Sequence, residues 1–269
     1  MIEEKEKPRD GLVSRAAALG LIGTGALLGA ACSAGAGGLA VLPARAGGTN
    51  AGASDPAPTD FDILNFALNL EYLEAEFYSF AVTGASIASH GVGINGTGTP
   101  GPTTGGHMVT FGDSRIATIA QQIYTDEVAH VNLLRSVLGS NAIAKPAIKL
   151  DALGACTTQA FFLKLSRALE DTGVSAYAGA APLISSKAIL GTAAQILATE
   201  ALHSGDIRLL VAEQNVMTSP IDSKDVLPPP SGSQYFTVDS MGLAIARTTG
   251  QVIAIAGPFF PNGLNGNIH

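Results

Sequence analysis

Two glutamates are each followed three residues later by a histidine, Glu127 by His130 and Glu200 by His203, in a chain that has only five histidines to place. On a helix this spacing sets a carboxylate and an imidazole one turn apart on one face, where both reach the same cation or two adjacent ones. Oxygen donors mixed with imidazole nitrogen, with no thiolate, suit iron or manganese better than structural zinc. Two more glutamates share a spacing of their own. Glu71 precedes Tyr78 by seven residues and Glu170 precedes Tyr177 by seven, a step that returns to the same helix face. The chain thus reads E-x6-Y followed by E-x-x-H, twice.

These residues fall where a helix should be apolar. Steps of four and three give Ile116, Ala120, Ile123, Glu127, His130, Leu134 and Val137 in one segment, and Ile189, Ala193, Ile196, Glu200, His203, Ile207 and Leu210 in another. Everything in both series is apolar except the Glu and the His, so acid and imidazole interrupt a core seam. Glu71 lies in a comparable stripe with Leu64, Ala67 and Tyr78. Buried ionised carboxylates are costly unless a cation compensates them, and these seams contain no Lys or Arg. A metal-free bundle with a hydrogen-bonded polar core is disfavoured on that ground.

Four helices have to position the groups. The first starts after Thr59, where Thr59 and Asp62 supply an N-cap and an acidic first turn. The second opens near Asp113-Ser114 and closes at Gly139; the third begins near Thr157-Thr158 and reaches the region of Pro182; the fourth follows Ser185-Ser186 and runs to about Asn215. Residues 83–112 include nine glycines and two prolines, which excludes a helix and predicts a long loop, expected to cover one end of the site. A second irregular link of some twenty residues before the third helix permits a crossover. The expected fold is all-α, a four-helix bundle over residues 59–215. The extension 216–269 carries a helix-compatible run, "DSMGLAIARTTGQVIAIAG", and the adjacent Phe259 and Phe260, so it is expected to dock on the bundle or on a second subunit.

Composition narrows the class. The 269 residues are 46% hydrophobic and carry a net charge of −7 with no cluster of Lys or Arg, which argues for one full-sized core and against a nucleic-acid partner. Residues 16–44 contain no charge and lead to Ala44-Arg45-Ala46, so residues 1–46 read as an export signal cleaved after Ala46, followed by a small-residue and proline linker at 47–58. The expected location is outside the cytoplasm, periplasmic, secreted or envelope-associated. Two alternatives are an uncleaved membrane anchor and a lipoprotein acylated at Cys32. After cleavage Cys156 would be the one remaining cysteine and could form no internal bridge.

With these residues in place the chain resembles the ferritin-like superfamily of di-metal carboxylate bundles, whose pattern is one Glu from each of two helices plus an E-x-x-H from each of the other two. More narrowly, "DILNFALNLEYLEAEFY", "DEVAHVNLLRSVLG" and "GPFFPNGLNGNI" resemble exported ferritin-like domain proteins that include plant desiccation-related proteins. The resemblance implies two metal ions, iron or manganese. One would be held by Glu71 with His130 and the other by Glu170 with His203, with Glu127 and Glu200 bridging.

The remaining candidates divide as follows. Glu74, one turn after Glu71, is either a seventh ligand or, as the favoured expectation, a solvated rim residue. Tyr78 and Tyr177 either donate hydrogen bonds to ligand carboxylates or only pack. Asp206 is expected to pair with Arg208 at the surface, and His90, His107 and His269 receive no role. Three functions stay open: a redox enzyme acting on dioxygen or peroxide, as a ferroxidase or a peroxide-detoxifying catalyst; a non-catalytic metal-binding stress, desiccation-related or structural protein; and the metal-free bundle. A small homo-oligomer is expected rather than a cage.

Overall fold

A computed structural model of the chain describes residues 57–268. The export-signal reading of residues 1–46 and most of the linker lie outside them. Four long helices, α1 (Asp60–Thr83), α2 (Ser114–Leu138), α3 (Gln159–Ala180) and α4 (Lys187–Glu213), pack as two pairs, α1 with α2 and α3 with α4. A short α5 (Thr249–Ala256) lies against α3. The all-α bundle with a crossover between α2 and α3 is the expected architecture. Among the described residues no helix is long and apolar enough to cross a membrane.

Helix starts follow their capping residues. Thr59 accepts from the Asp62 amide while the Asp62 carboxylate accepts from the Thr59 amide, a reciprocal box that satisfies two otherwise orphaned donors. Asp113, Thr158 and Ser186 cap α2, α3 and α4 in the same sense. Gly84 closes α1 in the left-handed region at φ 75°, where a side chain would be strained. The α2 seam slips at its end, because a 3.6-residue helix drifts off a 3.5-residue count. Leu138 is buried there and Val137 is exposed.

The glycine-rich segment is a loop, as expected, and packs on the end of α1, where the Val109 amide donates to the Ala81 carbonyl. It runs beside the α2–α3 crossover and pairs with it in parallel: strand β1 (Thr103–Thr104) joins β2 (Ile148–Lys149), with bridges Thr97 to Ile143 and Thr110 to Thr158. The glycines permit close approach. A Cβ at Gly96 would sit 2.2 Å from the Ala142 carbonyl oxygen, and one at Gly101 2.3 Å from the Ala147 nitrogen. The enclosed Lys145 ammonium donates to the Gly101 carbonyl at 3.0 Å and faces the buried Glu76 at 3.5 Å.

Enclosure by these links explains why α1 is buried almost all round and why its buried polar residues off the core seam all have partners. Asn65 bonds Asn141 and Ile143, and Glu76 accepts from Ser86 and Ile87. Asn69 exchanges hydrogen bonds with the Asn265 backbone at 2.9 and 3.1 Å. The Asn265 side chain in turn donates to the carbonyls of Thr99 and Ala144 and accepts from the Thr99 amide. The C-terminal extension therefore docks on the bundle itself, with Asn265 tying helix, loop and crossover together. Replacing Asn265 with Ala removes three side-chain hydrogen bonds, leaves the buried Ala144 carbonyl without this donor and should lower unfolding stability by about 1–3 kcal/mol. Urea unfolding measures this, and a change below about 0.5 kcal/mol, the ordinary surface-substitution range, would contradict the role given to Asn265.

Candidate metal centre

The two halves of the bundle bring their acidic residues to one interior point. Glu71 and Glu74 come from α1, Glu127 and His130 from α2, Glu170 from α3, Glu200 and His203 from α4. The carboxylates are sealed: Glu71, Glu127, Glu170 and Glu200 have no exposure, and each imidazole shows 7%. Two overlapping quartets offer ligand atoms within 4.8 Å of one another, Glu71, Glu127, His130 and Glu200 in one, Glu127, Glu170, Glu200 and His203 in the other. Glu127 and Glu200 belong to both, so any cation held by either quartet could draw on them.

Nδ1 is the nitrogen each imidazole presents to the cluster. His130 Nδ1 lies 3.3 Å from Glu71 Oε2, 3.3 Å from Glu127 Oε2 and 3.4 Å from Glu200 Oε1. His203 Nδ1 lies 3.0 Å from Glu127 Oε1 and 3.4 Å from Glu170 Oε2. Among the described residues Glu71 Oε2, Glu127 Oε1, Glu170 Oε2, both oxygens of Glu200 and His203 Nδ1 have no hydrogen-bond partner. So many convergent acceptors without donors fit a pair of hard or borderline cations and fit little else.

The tyrosines resolve as hydrogen-bond donors, and they cross between the halves. Tyr78 of α1 donates to Glu170 Oε1 and contacts Ser166, while Tyr177 of α3 donates to Glu71 Oε1. Each occupies one oxygen of a terminal glutamate and leaves Oε2 facing the imidazole. Burial first, then the adjoining carboxylates, push both phenols well above their ordinary range, so they stay protonated donors.

Two expectations are overturned. Glu74 is not at a solvated rim but is 4% exposed and belongs to the cluster. Its counterpart in the second half, three residues after Glu170, is Gly173, and a Cβ there would stand 2.4 Å from Glu200 Oε2 and 3.2 Å from Glu74 Oε1. The missing side chain makes room for both acids. Arg208 likewise does not pair with exposed Asp206; it is buried and donates to Asp171 at 2.7 Å. Asp171 also accepts from Ser204, and Arg167 reaches Asp171 and Asp225, a closed network beside the acidic cluster.

One residue of the site escaped sequence reasoning. Asp126 Oδ2 lies 3.1 Å from His203 Nε2, on the side of the ring away from the cluster, and so fixes that imidazole with Nδ1 inward. Only the pairing of α2 with α4 brings them together, although Asp126 stands next to Glu127 in the chain. His90 contacts Thr83 and Tyr124 at the surface and has no part in the cluster. Cys156 is free and buried, and burial pushes its thiol up to about 12, which leaves it unreactive.

Four helices closing on two such quartets form a bundle whose buried carboxylates and imidazoles could hold metal ions. The family model of the ferritin-like domain matches residues 59–213, more than half of the chain, and the chain belongs to that family. Among curated proteins no sequence matches it.

Electrostatics make the protein sensitive to pH when it carries no metal. Burial raises Glu127 to about 7 from 4.5 against the opposing pull of nearby His130 and His203, and burial followed by neighbouring carboxylates raises Glu74 and Glu200 well above 4.5. Burial disfavours charge on His130 and His203, but the surrounding glutamates outweigh it and raise both above 6.5. All five groups bind protons more tightly folded than unfolded, so stability falls as pH rises through the interval above the unfolded carboxyl value. The urea midpoint of metal-free protein should therefore drop between pH 5 and pH 8. A midpoint that climbs over that range would show the carboxylates to be compensated by something else.

Proposed function

We propose that this protein is an exported ferritin-like oxidoreductase whose dinuclear iron or manganese centre reacts with dioxygen or a peroxide. The observation that carries the reading is the sharing of Glu127 and Glu200 between two quartets whose oxygens lack donors. Glu71 and His130 would hold one ion, Glu170 and His203 the other, with Glu127 and Glu200 between them and Glu74 available as an additional carboxylate. When bound, such a pair would relay electrons as amino-acid side chains cannot, from ferrous iron to dioxygen or peroxide, or from one hydrogen peroxide molecule to another.

The protein's own contribution is to position and to exclude. Tyr78 and Tyr177 hold Glu170 and Glu71 by one oxygen each, and Asp126 holds His203 by its outer nitrogen. The imidazole edges of His130 and His203 are the most exposed part of the six-residue set, and the larger cavities are lined by other residues. Such enclosure suits an oxidant of two heavy atoms and disfavours an organic substrate. The same enclosure supports a second reading, a non-catalytic stress or structural protein whose ions stabilise the bundle, since metal bound only by the folded state adds directly to its stability.

Protein purified from its natural compartment should contain two equivalents of iron or manganese, and Glu127→Ala and His203→Ala should each lose both. Absence of transition metal from the native protein would remove the centre altogether. Asp126→Asn should weaken metal binding by roughly 10–100-fold while leaving helix content unchanged. Turnover separates the two readings: fully metallated protein that neither consumes peroxide nor speeds ferrous oxidation above the buffer rate leaves the non-catalytic one standing.

A further inference from the structure

The outward face of α4 is patterned as a surface that fits its own copy. Lys187, Gly191, Gln195, Ala198, Leu202 and Asp206 recur along it at steps of four and three, and all six are exposed, Leu202 at 71%. Between Lys187 and Asp206 the one charged residue of the helix is Glu200, which is turned inward. We propose that this face is a homodimer interface, in which α4 of one copy packs antiparallel on α4 of a second about a two-fold axis passing between positions 196 and 197.

Self-complementarity identifies the occupant. A two-fold interface uses the same patch on both subunits, so a residue i that faces j must also serve when j faces i. About the proposed axis Lys187 faces Asp206 of the second copy, Gly191 faces its Leu202, and Gln195 faces its Ala198. Every pair matches: an ammonium with a carboxylate, a position without a side chain with the most exposed leucine of α4, a long side chain with a short one. Lys187 and Asp206 form no ion pair among the described residues, so both charges are free to pair across the axis. A lipid surface or an unrelated protein would require no such internal match.

Gly191 adds an independent reason. Glycine inside an exposed helix weakens it, and here nothing within the chain asks for one. A Cβ at Gly191 would meet no described atom within 4 Å. The use of bare backbone at this point therefore lies outside the monomer, where it lets an apolar side chain of another helix seat closely. Leu202 of a second copy is that side chain.

Sedimentation velocity on the protein purified from its natural compartment should show a dimer with a Kd below about 100 μM, and the same dimer is expected with and without metal. Gly191→Glu and Leu202→Glu should each raise that Kd at least about tenfold at unchanged helix content. Gly191→Glu should also raise the thermal midpoint of the dilute monomer, because glutamate is the better helix former; a purely structural role for the glycine would lower it. A charge cycle reads the register. Asp206→Lys and Lys187→Asp each set like charges opposite one another twice per dimer and should weaken it about tenfold, whereas the double variant should return to within about threefold of the parent. A parent with a Kd above about 100 μM would overturn the proposal and leave this face to residues before 57 or to a different partner. A dimer that Gly191→Glu and Leu202→Glu leave intact, or a double variant no tighter than the single ones, would overturn it equally.

Discussion

Five carboxylates enclosed together, Glu71, Glu74, Glu127, Glu170 and Glu200, repel one another in a medium that screens them poorly, and two imidazolium rings can offset only two of those charges. Few arrangements resolve this. Protons can neutralise some of the acids, which is the direction in which Glu74, Glu127 and Glu200 are displaced. Two divalent cations resolve it more completely, because they also supply partners to the oxygens that no donor reaches. The reciprocal tyrosines, the side chain missing at Gly173 and the inward Nδ1 atoms all follow from having to hold that cluster in one place.

A second buried network supplies the contrast. Arg167, Arg208, Asp171 and Asp225 carry two positive and two negative charges, and their contacts close on each other and on nearby carbonyls. That group is self-compensated and ties the C-terminal extension to α3 and α4. Glu170 and Asp171 are adjacent in sequence, yet the first faces a cluster without cations and the second faces two guanidinium groups. Burial of acids alone is therefore not the signature of a metal centre here; burial without compensation is.

The helices and the six proposed ligands were legible because each depends on local rules: a cap, a 3.6-residue period, and a residue type that does not belong in the period. What failed to be legible depends on neighbours distant in sequence. Glu74 looked like a rim residue because its surroundings are set by Gly173, roughly a hundred positions away, and by the absence of a side chain there. Asp126 was passed over because its partner, His203, comes from the other helix pair. Arg208 was given to Asp206 by proximity along the chain, whereas packing turned it to Asp171. The glycine-rich loop was recognised as a loop, but its glycines are spaced for approach to the crossover, which no local pattern announces.

The internal repeat has a limit of the same origin. Glu71 and Glu170, Tyr78 and Tyr177, and the two E-x-x-H pairs are equivalent by residue type, and each tyrosine holds the terminal glutamate of the other half. Their surroundings are not. Glu74 has Gly173 opposite it in the repeat, and Asp126, which braces His203, has Thr199 opposite it, whose hydroxyl turns back to the Gln195 carbonyl of its own helix. An extra acid thus accompanies Glu71 in the first half, while the added brace serves His203 in the second. A repeat that keeps these residue types and varies what touches them would hold two cations in different fields. Position-specific chemistry on a symmetric scaffold requires that difference.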